Sequence, residues 1–249
     1  MPVASRHQVA LDLLTDLIGR SRAAGASAAD AVLFESTALS ASYRLGKRED
    51  IERSENYDLG LRVFLGQRQA FVSSNDKSKA NLQALVERAV AMARVAPEDK
   101  YCGLADPALL SRDPPELDLA DRAEPDIDAL TERARAAEEA AMAVPGVTNS
   151  EGAGADWSRG MVALATSAGF AETYVGSRHG VSVSVIAGQG TAMERDYEFS
   201  SARYLSDLED AATIGVEAGE RAVKRLNPRK VATKKVPVVF APRVANSLI

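Results

Sequence analysis

His7, His179 and Cys102 are the only imidazoles and the only thiol in this 249-residue sequence, so any transition-metal or thiol chemistry must be built around them. A hydrolytic zinc site takes three protein ligands, and its helical form places two histidines one turn apart with a glutamate beside them. Neither histidine has such a neighbour. His7 falls in Ser5-Arg6-His7-Gln8, which has capping-box spacing, and His179 falls in Arg178-His179-Gly180, which reads as a turn, so both are expected at the surface. Cys102, in Lys100-Tyr101-Cys102-Gly103, has a lysine nearby but no recognisable partner, and it reads as a structural or accessible thiol. Ser158, Ser182 and Ser184 lack the nucleophile-elbow signature that would point to a histidine base. The glycines sit at hairpins and form no phosphate-cradling turn from strand into helix. The residues alone therefore predict no catalytic group, no metal ligand and no cofactor in this chain.

The charge balance excludes further classes. Thirty basic side chains face 35 acidic ones, a formal balance of -5, opposite to the footprint of a nucleic-acid binder. Arg44, Lys47, Arg48, Arg53, Arg62 and Arg68 do cluster, but Glu49, Asp50, Glu52, Glu55 and Asp58 are interleaved with them, so the field there is mixed. No apolar run approaches the 18 residues of a membrane span, and the first 25 residues lack a leader pattern. With one cysteine and therefore no internal disulfide, a soluble, cytoplasmic protein is expected.

The elements that would position functional groups are organised around residues 59–74. Leu59, Leu61, Val63 and Leu65 alternate with Gly60, Arg62 and Phe64, Gly66-Gln67 offers a reversal, and Ala70 to Val72 starts a second strand. Ala41 to Leu45 and Glu49 to Glu55 flank a Gly46-Lys47-Arg48 turn and read as two more polar strands, after a short one at 31–34. A helix is predicted over about 6–24, opened by the Ser5-Gln8 box. Another is capped by Asp76 or Ser78 and stopped at Pro97, with Leu82, Leu85, Val86, Ala89, Val90 and Ala93 on one face. Residues 97–125 hold half of the ten prolines and read as a surface connection. The pattern then repeats: a helix from Ile127 to Ala141, strands at 147–155, 161–165, 170–175, 181–187 and 191–199, and a helix opened by a capping box at Ser206-Glu209 and closed by Asn227-Pro228. Gly60 to Gly66-Gln67 and Gly180 to Gly188-Gln189 share a form, which suggests related halves.

The fold class expected is α+β, with two helix/antiparallel-meander/helix halves at 1–96 and 126–227. Residues 228–249 then read as a linker, a buried strand at 236–240 and a helix from Val244, the start of a carboxy-terminal domain that the sequence cuts short.

Several runs together resemble one family. Arg44-Leu45-Gly46-Lys47 through Glu52-Arg53-Ser54-Glu55, Leu59 to Phe64 and Ser73-Ser74-Asn75-Asp76 are similar to the amino-terminal region of the TldD/PmbA family, the modulator-of-gyrase or U62 peptidase group. Ala89 to Asp99, Gly103 to Pro107, Glu194 to Arg203 and Pro237 to Leu248 fit it too. The resemblance implies a longer protein with a second domain. It also implies a paired assembly in which a TldD-like subunit carries a His-Glu-x-x-x-His zinc motif and a PmbA/TldE-like subunit, the branch most similar here, completes the peptide channel without one. It makes Arg53, Ser54, Arg62, Ser73 and Ser74 candidates for contact with an extended peptide or the partner. The function so implied is that of a non-catalytic subunit of a zinc-dependent peptidase. A binding or scaffold module of the gyrase-modulator type is the alternative.

Overall fold

The computed structural model describes residues 3–111 and 113–245. Helix α1 (Val3–Ala23) leads into strands β1 (Ala28–Arg44), β2 (Lys47–Leu65) and β3 (Arg68–Ser74), followed by α2 (Lys79–Val95). After the proline-rich connection come α3 (Ile127–Met142), strands β4 (Val147–Thr166), β5 (Ala171–Ala187) and β6 (Glu194–Ala202), then α4 (Ala211–Lys224). The strands form one antiparallel sheet in the order β3-β2-β1-β4-β5-β6. Exchanging β1, β2 and β3 for β4, β5 and β6 leaves that order unchanged, so each half is a helix-meander-helix unit and the two meet along β1 and β4. The paired glycine runs at 60–67 and 180–189 fall on the equivalent strands β2 and β5 and the loops that follow them. The α+β class is as the sequence implied.

The strands are longer than expected. Segments read separately at 31–34 and 41–45 are one strand, as are 49–55 with 59–65, 147–155 with 161–165, and 170–175 with 181–187. At about 3.3 Å per residue β1 alone reaches some 56 Å, enough to pass beneath both helix pairs. Its odd-numbered residues face the helices: Ala29, Ala31 and Leu33 lie in a core with α1 and α2, and Ala41 and Tyr43 in a core with α3 and α4. In the first core Leu14, Leu17, Leu59, Leu61, Leu85 and Val86 are fully buried, each contributing about 1.5–3 kcal/mol of transfer free energy. The second is built on alanine, with Ala134, Ala137, Ala141, Ala218 and Ala222 inaccessible. Small side chains bring α3 and α4 close together, and Gly215 and Gly219 stand where they touch.

Several local expectations need correction. α1 begins at Val3, so Ser5 lies inside its first turn and opens no helix, while Gln8 Nε2 bonds Asp12 Oδ1 at 2.8 Å. α4 is capped by Asp210, whose carboxylate accepts from the Thr213 N–H, and Ser206 belongs to a 3-10 turn before it. α2 is capped by Ser78. The hairpin reversal at β1–β2 is Leu45-Gly46, with φ of 47° and 81°, the pair of positive values that a type I′ turn requires. A leucine there is held from outside, because its N–H donates to Oε1 of the buried Glu138 on α3 at 3.0 Å. Val236 to Phe240 form no strand: residues 228–241 have no regular structure, and Val239 is 93% exposed. The apolar run meets no strand edge among the described residues. The helix expected from Val244 is present as the short turn Pro242–Ala245, and its continuation lies outside the described residues.

Candidate functional site

Between the two cores the helix-facing side of the sheet changes character. The alternation that gives Leu59, Leu61 and Val63 on β2 continues backward as Tyr57, Glu55 and Arg53. On β1 it runs Leu33, Glu35, Thr37, Leu39, and on β4 Trp157, Arg159, Met161. The strand register aligns these into rows across the sheet: Glu55, Thr37, Arg159 and Ser177 in one, Tyr57, Glu35, Met161 and Val175 in the next. The result is a cleft of about 750 Å³ floored by this polar band, with Arg6 and His7 of α1 at its rim. A smaller apolar annex of about 280 Å³ adjoins it beneath α1, walled by Val9, Ala10, Leu13 and Leu33.

The band is partly self-compensated. Lys77 Nζ donates to Glu35 Oε1 at 2.9 Å and lies 3.6 Å from the centroid of the Tyr57 ring. Arg53 Nη2 donates to Glu55 Oε1 at 3.0 Å. Burial, assisted by the Glu35 charge, pushes the Tyr57 phenol up to about 12, so it remains a donor at neutral pH. Its hydroxyl and the Trp157 indole N–H are both buried and have no hydrogen-bond partner among the described residues.

At the β5 end the returning connection closes the cleft. The Ser177 N–H donates to the Leu119 carbonyl, and the Asp121 N–H donates to Ser177 Oγ at 2.7 Å. Asp121 Oδ2 accepts from the Leu205 N–H and sits 3.3 Å from His179 Nε2, without hydrogen-bond geometry. The Leu205 and Ala123 N–H groups, against some desolvation, hold the Asp121 carboxyl below the usual carboxylate range. Desolvation, helped by the charge of Arg133 and opposed by Asp121, holds His179 below the ordinary histidine range. Both histidines thus depart from the surface placement expected of them. His179 is completely buried in β5, and His7 is half-buried with Nδ1 3.2 Å from Thr173 Oγ1. Sequence spacing cannot reveal this, because β5 continues through the Arg178-His179-Gly180 run that reads as a turn.

The five predicted contact residues do not converge. Arg53 lines the cleft. Ser54 pairs with Ala38 and turns to the opposite, helix-free face. Arg62 also lies on that face, where its Nε donates to Asp30 Oδ1 at 3.0 Å and its guanidinium covers the Phe64 ring. Asp30 tightens its hold on its proton. Ser73 is on the same face of the edge strand β3, and Ser74 accepts from Asn81 Nδ2 at the entry to α2. The helix-free face also exposes Phe34, Phe71, Leu164 and Tyr174. Cys102 is free and half-buried, close enough to Arg62 to bear on its charge.

A metal site can be tested on the donor set. Among the described residues no three His, Cys, Asp or Glu side chains converge on a point that could hold an ion. Zinc therefore does not fit the described residues, and no catalytic step through it is derived for them. No helix among the described residues is long and apolar enough to cross a membrane.

Comparison with known proteins agrees with this architecture. The PmbA/TldA metallopeptidase domain 1 matches residues 29–93, and the PmbA/TldA metallopeptidase central domain matches 120–226. A metalloprotease PmbA homolog of Haemophilus influenzae is 37% identical over 227 residues, covering 91% of this chain and 50% of the relative. Metalloprotease PmbA of Escherichia coli O157:H7 is 36% identical over 221 residues, covering 88% and 49%. Among solved structures, a protein of Bacteroides thetaiotaomicron described as a modulator of DNA gyrase superposes with a TM-score of 0.82 at 23% identity, covering 88% of this chain and 51% of that one. TldE from Thermococcus kodakarensis does so at 0.72 and 16%, covering 85% and 47%. The chain spans about half the length of the curated relatives it matches. With one family domain on each meander and the same fold in the solved structures, the chain belongs to the PmbA/TldD family.

Proposed function

We propose that this chain supplies the amino-terminal part of a PmbA/TldE-type subunit, itself non-catalytic, of a TldD/PmbA-type zinc-dependent peptidase. In this reading a TldD-like partner brings the zinc, which polarises the scissile carbonyl and activates water there. This subunit holds an extended stretch of peptide or unfolded protein.

The observation that carries the reading is β3. It is an edge strand of seven residues, paired on one side with β2 and on the other with nothing among the described residues. An open edge presents backbone donors and acceptors that an extended chain can match without regard to its sequence. Phe71, 58% exposed beside Ser73, adds an apolar contact next to that edge. Nucleic acid is not an expected partner of a chain with a net negative balance, and a reducing, cytoplasmic setting accords with its single free cysteine.

The test is co-purification of the full-length subunit with a TldD-like protein, followed by cleavage of an unfolded peptide. The mixture is expected to cleave and this subunit alone is not, and Phe71→Asp is expected to weaken peptide retention. A stable complex with gyrase, formed without any peptidase partner or peptide cleavage, overturns the reading in favour of a scaffold role.

A further inference from the structure

We propose that the cleft between the two helix pairs is a binding site for a monocarboxylate bearing a short apolar substituent, the class to which the carboxyl end of a peptide belongs. The site lies on the helix-bearing face of the sheet and does not depend on the β3 edge.

Four features of the cleft select this class. Its floor is polar where the same strands are otherwise apolar, although strand positions that face helices gain most from burying hydrocarbon. Tyr57 and Trp157 both line the cleft, and the Tyr57 hydroxyl and the Trp157 indole N–H are buried without hydrogen-bond partners among the described residues, which carries a desolvation cost that an acceptor reaching them would remove. The indole N–H can only donate, so a ligand bearing an acceptor answers that cost where a donor-only ligand does not. The lining holds four cationic side chains, Arg6, Arg53, Lys77 and Arg159, against the carboxylates Glu35, Glu55 and Glu124, an excess of one positive charge. That excess suits a monoanion better than a dianion such as phosphate, which would meet three carboxylates at close range. Finally, the apolar annex shares Arg6, Glu35, Tyr57 and Lys77 with the cleft. A ligand whose carboxylate engages the donors can thus place a hydrocarbon group against Leu13 and Leu33. The cleft by itself, at about 750 Å³, falls within the usual range of small-molecule pockets, about 300–1,000 Å³.

Trp157 is the only tryptophan in the sequence and lines the cleft, so its fluorescence reports occupancy directly. The experiment titrates the chain with acetyl-Ala-Leu as the free acid, acetyl-Ala-Leu amide, hexanoate and inorganic phosphate. The free acid is expected to shift Trp157 emission saturably, with the amide at least about tenfold weaker because a charged acceptor contributes more than a neutral one, and phosphate weaker than the acid because it has no hydrocarbon group for the annex. Hexanoate binding as well as the peptide acid would support the site and show that the carboxylate and tail suffice. Much weaker hexanoate would support it and show that the peptide amide is read too.

Tyr57→Phe deletes only an unpartnered hydroxyl and leaves the fold's bonds intact, so circular dichroism should be unchanged and the melting midpoint equal to or above the parent's, since a buried unpaired group is removed, while affinity falls several-fold. Arg178→Gln, on the opposite face beside Asp156, should leave affinity as it was. Equal binding of acid and amide, tighter binding of phosphate than of either carboxylate, or full affinity in Tyr57→Phe would each overturn the proposal.

Discussion

Replacing Gly215 by alanine sets two opposed effects against each other at one carbon atom. In a helix interior the change from glycine to alanine gains up to about 1 kcal/mol of backbone entropy and propensity. Here the added methyl would point straight at the carbonyl oxygen of Ala137 on α3, 2.9 Å from Ala140 Cβ and 3.0 Å from the Ala141 nitrogen. Comfortable carbon contacts need about 3.5–4.0 Å. None of the three atoms lies at the end of a flexible side chain, so the relief available is separation of α4 from α3. Overpacking costs about 1–3 kcal/mol, and two backbones in contact put this site at the upper end. The helix gain leaves a net loss of about 2 kcal/mol, a fall in melting midpoint of about 4–8 °C for a domain of this size. Gly19 in α1 is the matched control, since a methyl there meets nothing within 4 Å; only the propensity term acts, and the midpoint should rise by about 1–4 °C. Thermal melts by circular dichroism on both variants decide the matter. A Gly215→Ala protein that melts at or above the parent would refute the close-packed interface.

Three further outcomes follow from the geometry. His179 is held below its unfolded value of about 6.5, so its contribution is fully present above that pH and is lost as pH falls towards the folded value. Melting midpoints should decline below about pH 6.5, and His179→Gln should flatten that slope; an unaltered slope sinks the assignment. Deleting residues 228–249 removes the Arg243 guanidinium, 2.9 Å from Asp196 Oδ1, but leaves Arg225 on the same carboxylate, so the midpoint should fall by no more than about 4 °C, roughly 1 kcal/mol. A drop of about 10 °C would make that segment integral to the fold. Elemental analysis of the purified chain should return far less than one zinc per molecule, and a stoichiometric, tightly held ion would force a new search for ligands.

How much of this was legible in the sequence depends on the range of the signal. The stripe of α2, Leu82 to Ala93, was readable to the residue because helical spacing and capping are local. For α4 the spacing sets Leu208, Ala212, Gly215, Gly219, Ala222, Val223 and Leu226 on one side. Gly215, Gly219 and Ala222 are buried and Leu208, Val223 and Leu226 pack against the second core, but Ala212 is exposed, and the buried Ala211, Ile214 and Ala218 were not foreseen. The cause is that small residues surround that helix, so hydrophobicity alone does not fix its rotation, and the contact with α3 does. Strand lengths were underestimated because polar stretches at 36–40 and 47–58 interrupt the apolar alternation without interrupting the backbone pairing.

The cleft was illegible for a related reason. Arg53 and Glu55 read as part of a field of interleaved charge on polar strands, and in an isolated hairpin they would face water. Their inward orientation follows from the parity of β2, fixed by Leu59, Leu61 and Val63 in the first core, and from a register that sets Thr37 opposite both Glu55 and Arg159. The second of those pairings spans more than a hundred residues and leaves no trace in local spacing. A signal was nonetheless present: one parity of a strand carried hydrocarbon at one end and charge at the other. Burying polar groups without partners costs about 1–3 kcal/mol each by mutational measures, and core positions can relinquish hydrocarbon only where something compensates. Lys77 against Glu35 and Arg53 against Glu55 provide part of that compensation. Tyr57 and Trp157 are left with donors that neither ion pair satisfies, and the carboxylate ligand proposed above is the compensation that the titration would test.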